Sequence, residues 1–436
     1  MNAPPAMRSI GIDAPGPVRN GLVTDIASLT RMRPFLVLAA HPDDETLGCG
    51  GLLARTARLG IEGHVVVLTD GARSHAAPGW PAGRLAAVRA LEVRAAMAAL
   101  GVPAARLHLL AQPDGELAET DDLTNAVAKI AATGGAETVF VTDPADSHPD
   151  HRAAFRLAVR LVACGAVRGL VTFPVSQCFE GGDLARFELL MVATELSVKR
   201  AALSAHRSQT GSLLPPGTGF HLTTGALKPF LDGVERFRPV HAMPGALPAD
   251  EPGHFDRLFA ANPDPWNYGC SSYEQGRHAE TVSALGDRRF RRAWEAGTAG
   301  GALAERLLPL CEMLVATDAS PRATAIARER LGDRADVRCM RLPQDAPEGL
   351  FDLILLSDML YYLGLDGVIE AAALCRDRLL PGGLLIVVSW LGETEAALTG
   401  EESAEALLAC IGPGFTILQQ ARHTGFRLDL LQKCTA

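Results

Sequence analysis

Two polar runs with metal-ligand chemistry lie far apart in the chain, His41-Pro42-Asp43-Asp44-Glu45 and His148-Pro149-Asp150-His151. Within one tight turn His41 and Asp44 offer an imidazole nitrogen and a carboxylate oxygen to a cation such as zinc, and His151 offers a third donor. Three protein donors leave a fourth coordination place for water. A catalytic zinc lowers the pKa of that water toward about 7, which makes hydroxide available to attack an amide carbon. The neighbouring Asp43 can point its carboxylate at that water, take its proton and later hand it to the leaving amine. His148, close to a helix start, can donate to a tetrahedral oxyanion or orient a ligand from behind, and the residues alone leave both roles open. A single His-Pro-Asp turn is more often an ordinary loop than a metal site. Two such runs at equivalent places point to one shared ion, and zinc, iron and cobalt all suit a two-histidine, one-carboxylate set.

A different chemistry is written at Glu295-x-Gly297-x-Ala299-x-Gly301. Glycines let the backbone approach a ligand closely, and Asp318, at the end of the next apolar run, can accept hydrogen bonds from ribose hydroxyls. Such a turn alone is a weak signal, because nicotinamide enzymes, flavoenzymes and methyltransferases all use one and some are purely structural.

The elements that must position these residues follow from the alternation of apolar runs with amphipathic segments. Strands are expected at 35–40, 63–69, 106–110 and 137–142, with helices at 49–60, 82–100, 121–132 and 152–163. Beyond them, strands at 292–296, 313–318, 335–340, 351–357 and 383–390 alternate with helices at 300–309, 321–331 and 366–378, and a hairpin closes the chain. Alternation of this kind means a parallel sheet, hence an α/β fold. Both His-containing runs follow strands, and ligands bind outside the carboxyl ends of strands in open sheets.

A chain of 436 residues is too long for one such domain. Residues 239–253 are rich in Pro, Gly and Ala without apolar periodicity, as a linker would be. The expected division is an N-terminal extension at 1–30, a first domain at 31–240, a linker at 241–253 and a second domain at 254–436. No internal repeat is visible.

The formal net charge of −9, with 41 Lys plus Arg and a pI of about 5.8, gives no electrostatic drive toward a nucleic-acid backbone. No apolar run is long enough to insert in a membrane, and Met1 to Arg8 lacks the apolar core of a secretory signal, so a cytoplasmic enzyme is expected. Nine cysteines from Cys49 to Cys434 form no CxxC pair, so they are expected to be mostly buried thiols rather than a disulfide framework or zinc knuckle. Nothing in the sequence bears on the oligomeric state.

Ala40-His41-Pro42-Asp43-Asp44-Glu45 and Asp146-Ser147-His148-Pro149-Asp150-His151 resemble the two signature motifs of the PIG-L/LmbE family of zinc-dependent N-deacetylases. Thr69-Asp70-Gly71, Arg89 to Glu92, Pro113-Asp114-Gly115 and Lys199 to Ser208-Gln209 are similar to its weaker landmarks, in the family's order, over residues 30–240. The resemblance implies a Rossmann-like sheet, with His41, Asp44 and His151 as zinc ligands and Asp43 as general base. One departure stands out. Some members of the family use a mobile tyrosine near the oxyanion, whereas Tyr268, Tyr273, Tyr361 and Tyr362 all lie outside this region. His75, His221 and Arg73 are loop residues to which no role is assigned.

The run from Glu295 to Gly301 resembles the first motif of class I S-adenosylmethionine-dependent methyltransferases, with Ala299 replacing the usual middle glycine. The run Phe351 to Ser357 is similar to that class's fourth strand, and Leu379-Leu380-Pro381-Gly382-Gly383-Leu384 to the turn before its fifth. Phe255-Asp256, Asp264-Pro265-Trp266-Asn267-Tyr268, Tyr273-Glu274, Arg277-His278 and Ser357 to Leu363 narrow the resemblance to NodS-type methyltransferases, over residues 254–436. Those enzymes methylate an amine on a deacetylated chitooligosaccharide. The resemblance implies S-adenosylmethionine as cofactor, with Glu295, Gly297, Gly301, Asp318 and Ser357 around it. Trp266, Tyr268 and Tyr273 either pack the helix ahead of the core or cover the cofactor.

Joined, the two halves read as two Rossmann-like domains, each a mostly parallel sheet flanked by helices. The expected enzyme hydrolyses an N-acyl group on an amino sugar or glycoconjugate, then methylates the freed amine. Three alternatives stay open: a second half that only binds S-adenosylmethionine as a regulatory or structural ligand, methylation of an unrelated group, and a first half that cleaves a thiol-sugar conjugate or some other amide.

Overall fold

The computed structural model describes residues 22–214, 217–241, 253–394 and 396–435. Residues 1–21 of the expected N-terminal extension and 242–252 of the expected linker lie outside them. The described residues form two compact units, one within Arg19–Met243 and the other within Pro244–Ala436.

The first unit has strands β1 (Val23–Thr24), β2 (Phe35–Ala39), β3 (Gly63–Thr69), β4 (Leu107–Gln112), β5 (Thr138–Thr142), β6 (Gly169–Phe173), β7 (Glu188–Met191) and β8 (Val234–His241). Its helices are α1 (Ile26–Thr30), α2 (Asp44–Leu59), α3 (Ala82–Ala99), α4 (Asp121–Thr133), α5 (Pro149–Ala163), α6 (Ser176–Glu180) and α7 (Leu196–Ala205). The sheet order is β1-β7-β8-β6-β5-β2-β3-β4, parallel except that β8 runs antiparallel to both β6 and β7. All residues of β2 and β5 are buried, as expected for inner strands covered on both faces. From β2 the chain turns one way to β3, and β5 adds on the other side, so a crevice opens between the carboxyl ends of β2 and β5.

The second unit contains α8 (His254–Ala261), α9 (Ser272–Ser283), β9 (Phe290–Ala296), α10 (Ala302–Leu307), β10 (Cys311–Asp318), α11 (Pro321–Leu331), β11 (Asp336–Cys339), β12 (Phe351–Ser357), α12 (Gly364–Arg378), β13 (Leu379–Trp390), α13 (Gly400–Ile411), β14 (Phe415–His423) and β15 (Phe426–Lys433). Its sheet order is β11-β10-β9-β12-β13-β15-β14, parallel up to β13, with the closing hairpin β14–β15 antiparallel. The strand order switches sides between the parallel neighbours β9 and β12. Both units are therefore Rossmann-like.

Several expected boundaries shift. Helix α2 begins at Asp44, not 49, because packing overrides the low propensity of Gly48, Gly50 and Gly51. The buried Lys199–Glu235 ion pair grips this helix: Glu235 accepts the Gly51 and Leu52 N–H groups at 2.6 and 2.8 Å, and Lys199 donates to the Leu47 carbonyl at 2.7 Å. Helix α5 begins at Pro149, not 152, since proline's missing N–H costs nothing in a first turn. The cysteine expectation is overturned: only Cys49 and Cys375 are buried, while Cys164, Cys270, Cys339 and Cys434 are exposed at element ends or in turns. No helix among the described residues is long and apolar enough to cross a membrane.

Candidate metal centre and cofactor loop

The chain leaves β2 through a turn fastened to β3, where Thr69 donates to the Ala40 carbonyl from its backbone N–H at 2.9 Å and its hydroxyl at 2.8 Å. At the start of α2 the Asp44 side chain folds back, and its Oδ2 accepts the His41 backbone N–H at 2.8 Å. The same oxygen lies 3.3 Å from His41 Nδ1 and 3.4 Å from His151 Nε2. Two turns that are remote in sequence thus meet on one carboxylate oxygen.

The far nitrogen of each histidine is held by carboxylates. His41 Nε2 lies 3.2 Å from Asp150 and 3.3 Å from Asp114, and His151 Nδ1 lies 2.9 Å from Asp146. The anchors are themselves fixed. Asp150 accepts the Gly115 and Leu117 N–H groups at 2.7 and 3.1 Å, Asp114 accepts that of Arg73 at 2.8 Å, and Asp146 accepts those of Val175 and Gln177 at 3.0 Å. Carboxylates behind the imidazoles set the tautomer and aim His41 Nδ1 and His151 Nε2 at a common point.

His148 caps α5. Its Nδ1 accepts the Asp150 N–H at 3.2 Å, so the proton of its neutral ring sits on Nε2. Burial, with His41 and His151 nearby, pushes it down to about 4 and keeps it neutral. One nitrogen from each of His41, His148 and His151 falls within 4.8 Å of the others. The helix cap engages His148 Nδ1, and His148 also groups with His41, Asp114 and Asp150, whereas Asp44 Oδ2 faces both His41 Nδ1 and His151 Nε2.

The electrostatics match a cation site. Burial opposes charge on His41, but Asp114, Asp150 and Asp44 outweigh it and hold the imidazole well above its usual range. His151 is likewise carried up to about 9 by Asp44 and Asp146 against its burial. Despite burial, the two histidines hold Asp44 well below the usual carboxylate range. Four carboxylates around two imidazoles leave a surplus of negative charge, which protons or a bound metal would balance. The donors fit zinc: two nitrogens and one oxygen, each fixed from behind.

Asp43 lies beside this set, 5% exposed, and burial moves its carboxyl up to about 6, with Arg89 opposing and Asp44 reinforcing the rise. Arg89 Nη2 is 3.2 Å from its Oδ2. Asp114, Asp146, Asp150 and Arg89 lie within the sequence motifs, but residue order alone assigns them no role. His75 and His221 pair with each other at 4.9 Å and Arg73 pairs with Glu116; none joins the donor groups around His41.

In the second unit, β9 runs into a turn whose residues Gly297, Ala299 and Gly301 have φ of 77, 51 and 76°. A Cβ at Gly297 would stand 2.9 Å from Met359 Cβ, next to the carboxyl end of β12 and Ser357. Asp318, ending β10, accepts the Ala299 N–H at 2.9 Å and the Ser320 N–H at 2.8 Å, one on each oxygen, which leaves a lone pair on each for a hydroxyl. Glu295 is 1% exposed and takes the Thr298 hydroxyl at 2.5 Å. Burial raises it to about 8, opposed by Thr298 and reinforced by Asp318, which favours the neutral acid. Gly297 sits against Met359 and the Ser357 carbonyl, Gly301 packs on Ala327 and Leu331 of α11, and Glu295 braces the turn through Thr298. Trp266 and Tyr268 pack against Phe259, Ala299 and Ala323, on the glycine turn itself.

Comparison with known proteins divides the chain in the same way. Residues 36–162 match the family model described as PIG-L, GlcNAc-PI de-N-acetylase, and residues 254–408 match that described as NodS, Nodulation protein S. Nodulation protein S of Bradyrhizobium diazoefficiens is 32% identical over 166 residues, 37% of this chain and 78% of that protein. Against two other Nodulation protein S sequences the chain spans about half their length, 48% and 56%. A 1D-myo-inositol 2-acetamido-2-deoxy-alpha-D-glucopyranoside deacetylase of Rhodococcus jostii is 26% identical over 284 residues, 50% of this chain and 95% of that protein. The solved structure of the N-methyltransferase NodS from Bradyrhizobium japonicum WM9 with S-adenosyl-L-homocysteine is 24% identical, covers 42% of this chain and 99% of that one, and has a TM-score of 0.38.

Proposed function

From a chain that belongs to the Nodulation protein S family through its C-terminal unit and carries a PIG-L deacetylase domain ahead of it, we propose an enzyme that removes an N-acyl group from an amino sugar and then methylates the freed nitrogen. Residues 31–240 carry the first reaction and 254–436 the second. The observation that carries this reading is the meeting of His41 Nδ1 and His151 Nε2 on Asp44 Oδ2, with carboxylates behind both rings.

In this reading His41, Asp44 and His151 hold a zinc ion, which when bound supplies Lewis acidity and a water of lowered pKa. Asp43 takes the proton of the attacking water, a task for which a carboxyl titrating near 6 is suited, and delivers it to the leaving nitrogen. The His148 Nε2–H donates to the oxyanion as it forms. Arg89 keeps the Asp43 carboxylate from swinging away. The names of the PIG-L model and of the Rhodococcus deacetylase both speak of acetylated amino sugars, which supports that substrate class.

The second reaction needs the first. In an acetamide the nitrogen lone pair is delocalised into the carbonyl and attacks a methyl sulfonium poorly; hydrolysis restores it. Gly297 and Gly301 let the turn close against Met359 and α11, Asp318 offers its oxygens to the ribose hydroxyls of S-adenosylmethionine, and holding the amine beside Ser357 supplies orientation. Incubating the purified chain with an N-acetylamino sugar and methyl-labelled S-adenosylmethionine should yield a labelled N-methylamine. Label on oxygen alone, or none, would contradict the reading.

A further inference from the structure

Glu45, Thr46 and His206 are each 0% exposed, yet none belongs to the metal-donor set. A carboxylate so deep is costly unless every oxygen is engaged. The backbone N–H of Asp43 is shared between Glu45 Oε2 and the His41 carbonyl, each at 3.0 Å. Glu45 Oε1 accepts the Thr46 hydroxyl at 2.5 Å and lies 3.5 Å from His206 Nε2, which is 3.2 Å from the same hydroxyl. His206 Nδ1 has no partner among the described residues, so the ring's side-chain polar contacts are to this pair.

Asp43 has φ 154 and ψ −24°, a backbone conformation that favours glycine. Such strain persists only where the surroundings over-determine it, and it tends to cluster at functional sites. The surroundings here are explicit. Arg89 holds the Asp43 carboxylate and is itself fixed on the Pro42 and Gly71 carbonyls at 2.8 and 3.0 Å. One helical turn along α3, Glu92 accepts the Ser208 N–H and hydroxyl at 2.8 and 2.6 Å and so ties down the segment that presents His206. Asp43 is thus gripped by its side chain from α3, and by its backbone from Glu45 together with the His41 carbonyl.

We propose that Glu45, propped by Thr46 and His206, is a positioning residue that pins the strained backbone of Asp43 and so aims the proton-accepting carboxylate. This rests on the reading of Asp43 as the base. In the metal-loaded full chain, Glu45→Ala should lower kcat for de-N-acylation about a hundredfold, the penalty of a misplaced reacting group, with KM and bound zinc unchanged. Glu45→Gln keeps an oxygen for the Asp43 N–H and should restore most of the rate. In an Asp43→Ala background, Glu45→Ala should cost nothing further. If Glu45→Ala does not accumulate, Thr46→Val removes the propping hydroxyl at constant shape and should lower kcat alone by about tenfold. A kcat within threefold of the parent, a fall accompanied by lost zinc or raised KM, or an equal further loss in the Asp43→Ala background would overturn the proposal. Unaltered turnover in Asp43→Ala alone would instead strike at the base reading, and the two failures are distinguished by that variant.

Discussion

The two units place their candidate sites at the same topological point, outside the strands where the strand order switches, yet build them from opposite materials. Between β2 and β5 the work falls to side chains: two imidazoles and a carboxylate, each held by a further group. Between β9 and β12 it falls to backbone, with three consecutive alternate residues at positive φ and a single acidic side chain at the rim. A cation needs charged donors fixed to fractions of an ångström, whereas a nucleoside needs a tight turn that brings an acceptor such as Asp318 to its ribose. The first should therefore fail when a charge is removed, and the second when a Cβ is added.

The largest separation is expected from Asp43→Ala, which should lower hydrolysis by about 10²–10⁴-fold, the usual share of a general base, with zinc content intact. Metal analysis beside a deacetylation assay checks it. Asp150→Asn removes the charge behind His41 Nε2 and should weaken zinc about 10–100-fold in a competition titration. Gly297→Ala puts a Cβ at φ 77°, 2.9 Å from Met359, and should weaken S-adenosylmethionine by about tenfold in calorimetry while leaving hydrolysis alone.

A subtler contrast comes from pH. Glu295, with its folded pKa near 8, is easier to keep protonated in the folded chain than in the unfolded one. Its contribution to stability is full below the ordinary glutamate range, declines as pH rises through it, and is gone above about 8. Denaturant unfolding of Glu295→Gln should show a flatter loss of stability between pH 5 and 8 than the parent; an unchanged slope would remove Glu295 as its source. The smallest effect is expected at Ala299, whose φ of 51° suits glycine. Ala299→Gly relieves the left-handed strain but adds unfolded-state freedom and strips a methyl packed by Trp266 and Tyr268, for a net change under about 1 kcal/mol, seen as a denaturant midpoint close to the parent's.

Much of this was legible in residue order because the signals were local. Strands β2, β3, β5 and β12 are short apolar runs bounded by turns, and the two His-containing motifs and the glycine turn announced which strand ends matter. What was hidden is non-local. Nothing in Asp114, Asp146 or Asp150 says which imidazole nitrogen it faces, since His41 meets partners 73 and 109 positions away only after the sheet has assembled. Helix α13 was missed because it is buried nearly all round, Glu401, Glu402 and Glu405 included, so it shows no polar face. Strands β7 and β8 add an antiparallel flank that the βα alternation does not contain.

The claim on which both units depend is that one nitrogen is unmasked at the first site and alkylated at the second. Cross-feeding the Asp43→Ala chain tests it directly. Given an N-acetylamino sugar and S-adenosylmethionine it should form no methylated product, and given the free amino sugar it should methylate nitrogen at the parental rate. N-methylation of the acetylated sugar by that variant, or failure of both chains to methylate the free amine, would contradict the account.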